Sequence, residues 1–452
     1  MALLLGNRAE FVVALYAAAR LGAVAVPLNI REQKPELAYV LAHCGASMLI
    51  FETDLAERLP EPAVVPALRW RIAVEPCPGA EDYAALAGDE TWCEAAPVAD
   101  EDVSAILYTS GTTGRPKGAM LTHLGLVHSA MHFQHAMGLS AADRALVAVP
   151  MTHVTGTVAL VVAMTRCAGT LVIMANFKAA DFLALMERER ISYTVIVPAM
   201  YNLCLLQPDF GRYDLSAWRI GGFGGAPMPL PTIQRFAEQL PRLQLMNAYG
   251  ATETTSPATA MPPQFTPAHV DSVGLALACA EIKVVDVDGL QVPAGSSGEL
   301  WIKGPMVVKG YWQDPAATAR EFTDGYWHSG DIGSIDAEGF VRVFDRKKDM
   351  INRAGYKVFP AEVESVLSAH PGVIEVAVVG KPCPVLGERV HAFVMVKAET
   401  VSAEELRRFC AERLSDYKVP ETYTLQTAPL PRNANGKLIK QGLRHSLRAA
   451  AA

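Results

Sequence analysis

The stretch Tyr108-Thr109-Ser110-Gly111-Thr112-Thr113-Gly114-Arg115-Pro116-Lys117-Gly118 holds the densest run of chemically useful residues in the chain. Its glycines permit positive φ and let backbone N–H groups converge on an anion. The hydroxyls of Thr109, Ser110, Thr112 and Thr113 add donors, Lys117 adds a point charge, and Pro116 stiffens the turn before it. An apolar run, Val103–Tyr108, reads as a buried strand leading in. A strand opening into such a loop makes a cradle for phosphates. The spacing is not that of a Walker A loop, which needs Gly-x4-Gly-Lys-Ser/Thr; here Lys117 lies between Pro116 and Gly118. By composition alone the same string also suits a flexible surface loop.

Further groups follow in order. Gly224-Gly225-Ala226-Pro227 would let backbone approach a flat ring closely, and would equally make a tight strand-to-helix turn. In Asn247-Ala248-Tyr249-Gly250-Ala251-Thr252-Glu253-Thr254, an aromatic, a hydroxyl and a carboxylate sit together. Tyr249 can stack on a base, Thr252 can donate to a phosphate, and Glu253 offers a hard oxygen to Mg2+. The same Thr and Glu can also serve as a helix-capping pair. Asp331, between Gly330 and Gly333, reads as a carboxylate in a glycine turn. It can accept two ribose hydroxyls, although acidic turn residues usually only shape the turn. The run Asp345–Asp349 is charged throughout, as solvated linkers are. Lys437, in Pro431–Lys437, is a single lysine near the C-terminus of a kind that is ordinarily solvated. His123, His128, His132 and His135 have spacings that suit a metal. No carboxylate or cysteine completes the set, so the expectation is ordinary surface histidines on a helix.

The elements around these groups alternate. Strand, helix, strand, helix, strand is expected over Ala2–Leu5, Glu10–Leu21, Ala23–Pro27, Lys34–Cys44 and Ser47–Phe51, a pattern that gives a parallel sheet covered by helices. A helix is expected over Thr122–Met137. Strands are expected at Ala145–Val149, Gly169–Met174 and Ile191–Val197, with an apolar helix after Gly156. From about residue 270 short strands are separated by Gly, Pro and Asp turns, which suggests a small β subdomain or barrel over 270–345. Beyond the charged run lies a compact α+β pattern: helices Pro360–Ala369 and Ala403–Leu414, strands Val373–Gly380 and His391–Lys397. The fold class is therefore α/β: a large N-terminal domain (1–345) of helix-covered, mostly parallel sheets with a small β subdomain, then a small α+β domain (350–452), joined at 346–349; the mobility of the small domain is implied only by the resemblance given below.

Composition narrows the partners. At 452 residues the chain exceeds one ordinary core. Apolar content of 51% and charged content of 19% fit a large globular protein. The net charge of −7, with no Lys/Arg block, argues against nucleic acid and anionic membrane as partners. The eight cysteines never fall at metal-ligand spacing and read as reduced thiols of a cytoplasmic protein. Met1–Arg8 is too short an apolar run for a secretory signal. Thr157–Met164, the most apolar window, is far below a membrane span.

Taken in order from about Ala2 to about Lys440, these motifs resemble the adenylate-forming superfamily, in particular its AMP-dependent acyl-CoA synthetases. The resemblance implies ATP-dependent activation of a carboxylic acid through an acyl-adenylate, then transfer to CoA with release of AMP and pyrophosphate. ATP, Mg2+ and CoA act as substrates and activator, with no tightly bound cofactor. It places Thr109, Ser110, Gly111, Thr112, Thr113, Gly114 and Lys117 on the ATP phosphates. Gly225, Ala226, Pro227, Asn247, Tyr249, Asp331 and Arg346 fall around adenine and ribose. Lys437, Thr252 and Glu253 are implied to be catalytic, with Glu253 on Mg2+. It makes Lys348 the hinge and sets Gly355 along the pantetheine channel, with Ala354 where relatives carry glycine. His153, Phe223 and Gly224, with Thr254–Ser256, line an apolar acyl pocket, so the acid is expected to be fatty or aromatic. The segment Met151–Gly156 lacks the aspartate of amino-acid-activating relatives, and no carrier domain follows Lys437. Both points favour a free-standing CoA ligase. An acyl-AMP ligase loading a separate carrier protein and a non-catalytic nucleotide-binding homologue are the alternatives. Members of the superfamily carry a further segment ahead of the stretch that begins here at Ala2, so the chain is expected to start late. A homodimer is compatible with the resemblance.

Overall fold

The computed structural model describes residues 1–86, 94–109, 115–226, 228–266, 268–397, 401–432 and 438–449. The first sheet is wholly parallel, in the order Val26–Pro27, Ala2–Leu4, Met48–Phe51, Trp70–Ala73, Glu81–Asp82. Its strand Ala2–Leu4 is buried on both faces. Leu3 packs with Phe11 and Ala14 of the Ala9–Arg20 helix, and Leu4 with Leu37 and Leu41 of the Lys34–His43 helix. This is why the strand reads as an unbroken apolar run rather than an alternating one.

The second sheet has seven strands, in the order Leu275–Ala276, Ser256–Ala260, Gln244–Ala251, Ile220–Phe223, Tyr193–Ile196, Arg144–Val147, Thr170–Ile173. The strand Gln244–Ala251 changes partner type along its length. Residues 244–247 pair in parallel with Ile220–Phe223, and residues 248–251 pair antiparallel with Ser256–Ala260. At the amino ends of the parallel strands, Asp143 accepts from Ser192 Oγ (2.7 Å), from the Ser140 N–H (2.9 Å) and from Arg219 Nε (2.9 Å) and Nη2 (2.8 Å). The carboxyl ends lead into several of the expected site residues, among them Gly224, Asn247 and His153, as is usual where open α/β sheets bind ligands.

Several expectations change. Thr109 and Lys117 do not simply flank a strand-to-helix loop. Val103–Thr109 and Lys117–Thr122 form an antiparallel hairpin in which Thr109 faces Lys117, and the helix begins only at His123. The hairpin joins the first sheet through Ala25 and reaches the Tyr311 segment through Ala119. The apolar helix expected after Gly156 begins as a π-helix over Thr155–Val162, then continues as Ala163–Arg166. Gly156 is required there, because a Cβ would lie 2.2 Å from the Pro150 carbonyl oxygen. The Tyr193 hydroxyl donates to the Ala159 carbonyl within the π-helix (3.0 Å). His132 is buried rather than at the surface and pairs with the Ala278 carbonyl (2.7 Å).

The β subdomain is an antiparallel sheet of Glu281–Val285, Gly298–Lys303, Tyr326–Ile335 and Phe322–Thr323, with Val341–Arg346 also paired to Tyr326–Ile335. Among the described residues its two ends do not pair, so it is an open sheet rather than a barrel. Asp331 therefore sits in the middle of a strand, not in a glycine turn. Gly330, at φ +68°, supplies the local irregularity.

The C-terminal unit is built on the hairpin Val373–Cys383/Gly387–Val396, with Ile351–Arg353, Tyr356–Val358 and Thr422–Gln426 beside it. Val378 faces Val363 and Leu367 of the Pro360–Ser368 helix; Ala377 and Val379 face Leu443 and Leu447 of the Lys440–Ala449 helix. Near its junction with the large domain, the Ala361 N–H donates to Asp345 (2.8 Å), and Arg444 pairs with Asp349 (2.8 Å). No described helix is long and apolar enough to cross a membrane.

Candidate active site

Two clusters of buried and half-buried polar side chains meet at the end of the Gln244–Ala251 strand. In the first, Asp331 stands opposite Arg346 across the antiparallel pair. Its Oδ1 pairs with Arg346 Nε at 2.7 Å, and its Oδ2 accepts from the Tyr249 hydroxyl at 2.6 Å. Arg346 Nη1 donates to the Ser329 carbonyl (3.0 Å), and the Asp331 N–H donates to Ser329 Oγ (2.9 Å). Burial, and then the neighbouring Asp331 charge, hold the Tyr249 hydroxyl far above its usual range, so it stays a donor. Burial works against the charge on Arg346, but Asp331, Tyr249 and Glu253 outweigh it. Each carboxylate oxygen keeps a spare lone pair, so Asp331 can still accept hydroxyls.

The second cluster centres on Glu253, in the short turn Thr252–Thr254 that follows the strand. The turn is held from outside. Thr255 Oγ1 donates to the Met306 carbonyl (2.6 Å), and the Val308 N–H donates to the Glu253 carbonyl (2.9 Å). Thr255 and Ser256 take positive φ (+49° and +90°), a strained backbone of the sort found at functional sites. Glu253 is buried and Thr252 half-buried. Burial raises the Glu253 pKa, and Tyr311, Lys117 and Arg346 partly offset the rise.

Lys117, expected as a free point charge, is already engaged. Its ammonium lies 2.8 and 2.6 Å from the two oxygens of Glu321 and 4.1 Å from the centre of the Tyr311 ring. The Tyr311 hydroxyl lies 3.0 Å from Glu253 Oε1 and 2.7 Å from Glu321 Oε2. Sequence reasoning missed Tyr311 and Glu321, which lie in none of the motifs. It also missed Asn7, which staples the loop ahead of the π-helix: its Nδ2 donates to the carbonyls of Val149 and Met174 (both 3.0 Å), and its Oδ1 accepts from the Met151 N–H (2.8 Å). An asparagine shortly after a first strand carries no local signal of that role.

The remaining expectations place as follows. Asn247 is half-buried beside this strand end, and its side chain donates to the Ser272 carbonyl (3.4 Å). Gly224 is a close approach, since a Cβ would lie 2.3 Å from the Ala248 carbonyl oxygen; Gly225, at φ +75°, and Ala226 are exposed. Phe223 is buried against Tyr201 in the main core. His153 is half-buried in the loop ahead of the π-helix. Lys348 is exposed beside the junction. Gly355 is exposed at φ +90°, and Ala354 takes φ +51°. Ser110, Gly111, Thr112, Thr113, Gly114, Pro227 and Lys437 lie outside the described residues. On either side of the Lys437 segment, Arg432 and Leu438 pair antiparallel.

Among the described residues no group of three His, Cys, Asp or Glu could hold a metal. Magnesium is commonly bound by one or two carboxylates with substrate phosphates and water. Glu253, an all-oxygen ligand in a buried position, fits that role.

The profile of the AMP-binding enzyme family matches residues 1–312, and that of the AMP-binding enzyme C-terminal domain matches residues 362–437. The chain is 36% identical to a feruloyl-CoA synthase from Amycolatopsis over 440 residues, covering 97% of this chain and 87% of that one. It is 34% identical to the long-chain-fatty-acid–CoA ligase FadD13 of Mycobacterium tuberculosis over 457 residues, covering 99% and 88%. The solved structure of o-succinylbenzoate CoA synthetase from Bacillus subtilis, in complex with ATP and magnesium ion, superposes with a TM-score of 0.86. The identity is 32%, over 99% of this chain and 88% of that one.

Proposed function

The chain belongs to the AMP-binding enzyme family and is an AMP-forming acyl-CoA synthetase; from that premise we propose that it activates a fatty or aromatic carboxylic acid. The observation that carries the assignment is the meeting of Tyr249–Asp331–Arg346 with buried Glu253 at one strand end. One cluster suits a nucleoside and the other its phosphates.

In the first half-reaction a carboxylate oxygen of the acid attacks the α-phosphorus of ATP, and the bond to pyrophosphate breaks. Two anions must approach, so positioning and neutralisation of charge are what the protein must supply. Tyr249, Asn247, Gly225, Ala226 and Pro227 hold the adenine, and Asp331 accepts from the ribose hydroxyls. Thr252 donates to the α-phosphate. Lys437 bridges the acid and that phosphate. The loop from Thr109 to Gly114 grips the leaving pyrophosphate. Glu253 would hold Mg2+, whose charge offsets that of the triphosphate. In the second half-reaction the C-terminal unit turns about Lys348, removing Lys437 and bringing in the Gly355 segment. The CoA sulfur then bonds to the acyl carbon, AMP leaves with the carboxyl oxygen, and the thiol proton passes to solvent. His153, Gly224 and the Thr254–Ser256 turn surround the acid; Phe223 backs that pocket from the core.

The test is a screen of fatty and aryl acids of graded size for pyrophosphate release and CoA consumption. The expected result is CoA-dependent turnover with apolar acids. Adenylate formation that CoA does not discharge would overturn the proposal in favour of a carrier-loading enzyme.

A further inference from the structure

We propose that Glu321 is a positioning residue for the nucleotide's metal site. It locks Lys117 and Tyr311 together so that Tyr311 orients Glu253, and Lys117 acts as half of a neutral pair rather than as a free clamp on phosphate. The proposal rests on the reading of Glu253 as the carboxylate that meets the metal–nucleotide.

Three observations carry it. First, the pair is closed and shielded. Both Glu321 oxygens lie within 2.8 Å of Lys117 Nζ, and the two side chains are 23% and 11% exposed. Removing one partner of a shielded pair leaves a bare charge, which is costly. Lys117 therefore does not leave Glu321 readily for a phosphate oxygen. Second, the Tyr311 ring is fixed beneath the ammonium by backbone. The Trp312 N–H donates to the Gly118 carbonyl (2.7 Å), and the Met120 N–H donates to the Gly310 carbonyl (3.1 Å). With the ring so placed, its hydroxyl reaches both Glu321 (2.7 Å) and Glu253 (3.0 Å). The single hydroxyl proton lies between the two carboxylates, so the placement of Glu253 is tied through Tyr311 to Glu321, a carboxylate outside every quoted motif. Third, Glu321 is out of place locally. It is the last residue of the Pro315–Glu321 helix, where a negative charge opposes the helix dipole. A local rule broken at that point is offset by the pair with Lys117, with Arg320 adding a contact of 2.9 Å from the solvent side.

The experiment is calorimetric titration of MgATP, with no acid present, into the wild-type chain and the variants Glu321→Gln, Lys117→Met, Tyr311→Phe and Lys117→Met/Glu321→Gln. Each single change is expected to weaken MgATP binding by about tenfold, and the double variant to bind no more weakly than either single one. Titration of ATP without divalent cation is expected to differ by less than about twofold between wild type and Glu321→Gln, which a general loss of structure would not produce. Tyr311→Phe keeps the ring and the packing, so it tests the relay even if a charge variant folds poorly. Unchanged or tighter MgATP binding by Glu321→Gln would overturn the proposal, because Lys117 would then be a direct clamp that Glu321 holds back. Losses that multiply in the double variant, or an unchanged Tyr311→Phe, would also overturn it. Variants that show the expected pattern, in a chain whose wild type activates no acid, would end the substrate proposal and leave this one standing.

Discussion

At the scale of single residues, Asp331 does two jobs. It is the proposed acceptor of the ribose hydroxyls, and it is the buried counter-ion of Arg346 and hydrogen-bond partner of Tyr249. Asp331→Asn keeps the shape but leaves the guanidinium without its charge partner. Arg346 is 38% exposed at the side chain, so the full cost of a buried broken pair does not apply. A loss of about 2 kcal/mol in denaturant unfolding is expected, together with an increase of about tenfold in KM for ATP. A variant with normal stability and normal KM would remove Asp331 from both roles. The identity of this residue was legible in the sequence; its setting was not. The glycines at 330 and 333 resemble turn punctuation, but the backbone runs through them as a strand, because Tyr326, Trp327, Ser329 and Asp331 are buried along it.

At the scale of elements, the seven-stranded sheet separates stability from chemistry. Its amino edge is held by Asp143. Burial opposes ionisation there, but Arg219, Ser192 and the Ser140 N–H outweigh it and push the pKa down to about 2. A depressed folded-state pKa gives stability that is present above the unfolded value of about 4 and lost as pH falls towards 2. Allowing for the exposure of Arg219, this pair is worth about 1 kcal/mol at neutral pH. Asp143→Asn should lose that amount in urea melts at pH 7 and much less at pH 2.5, with KM for the acid unchanged. The carboxyl edge is held by Asn7. Asn7→Ala frees two carbonyls and one N–H, so a loss of about 2 kcal/mol is expected. Here, in contrast, KM for the acid should rise several-fold in steady-state assays, because the loop carrying Met151 and His153 loses its staple. The strands themselves were readable from apolar runs and their punctuation. The hairpin at Lys117, the π-helix at Thr155 and the open form of the β subdomain were not. Each involves residues distant in sequence: Tyr311 against Ala119, Tyr193 on Ala159, and sheet edges that do not pair among the described residues.

At the scale of the whole molecule, the proposed reaction needs one body to carry two different groups to the same place. Lys437→Ala should abolish acid-dependent ATP–pyrophosphate exchange, by about 10²-fold or more, yet spare thioester formation from supplied acyl-adenylate. Lys348→Pro should do the reverse, since a fixed φ restricts the hinge. Unchanged exchange in the first variant would remove Lys437 from adenylation. These roles came from the order of motifs along the chain, and no local property of Lys348 or Lys437 announces them. Arg444 and Asp349 fasten the last helix beside the proposed hinge, so a turn about Lys348 would carry the C-terminal helix with it.

The seam at Asp331 has one more consequence. Tyr249 belongs to the large sheet, and Asp331 and Arg346 belong to the β subdomain. A nucleotide resting on all three is therefore cemented across two layers at once. At a hundred times its Kd such a ligand adds about 2.7 kcal/mol to the folded state. The charged and the vacant enzyme would then differ in their resistance to proteolysis. Nucleotide supply would govern how long each molecule survives as well as how fast it turns over.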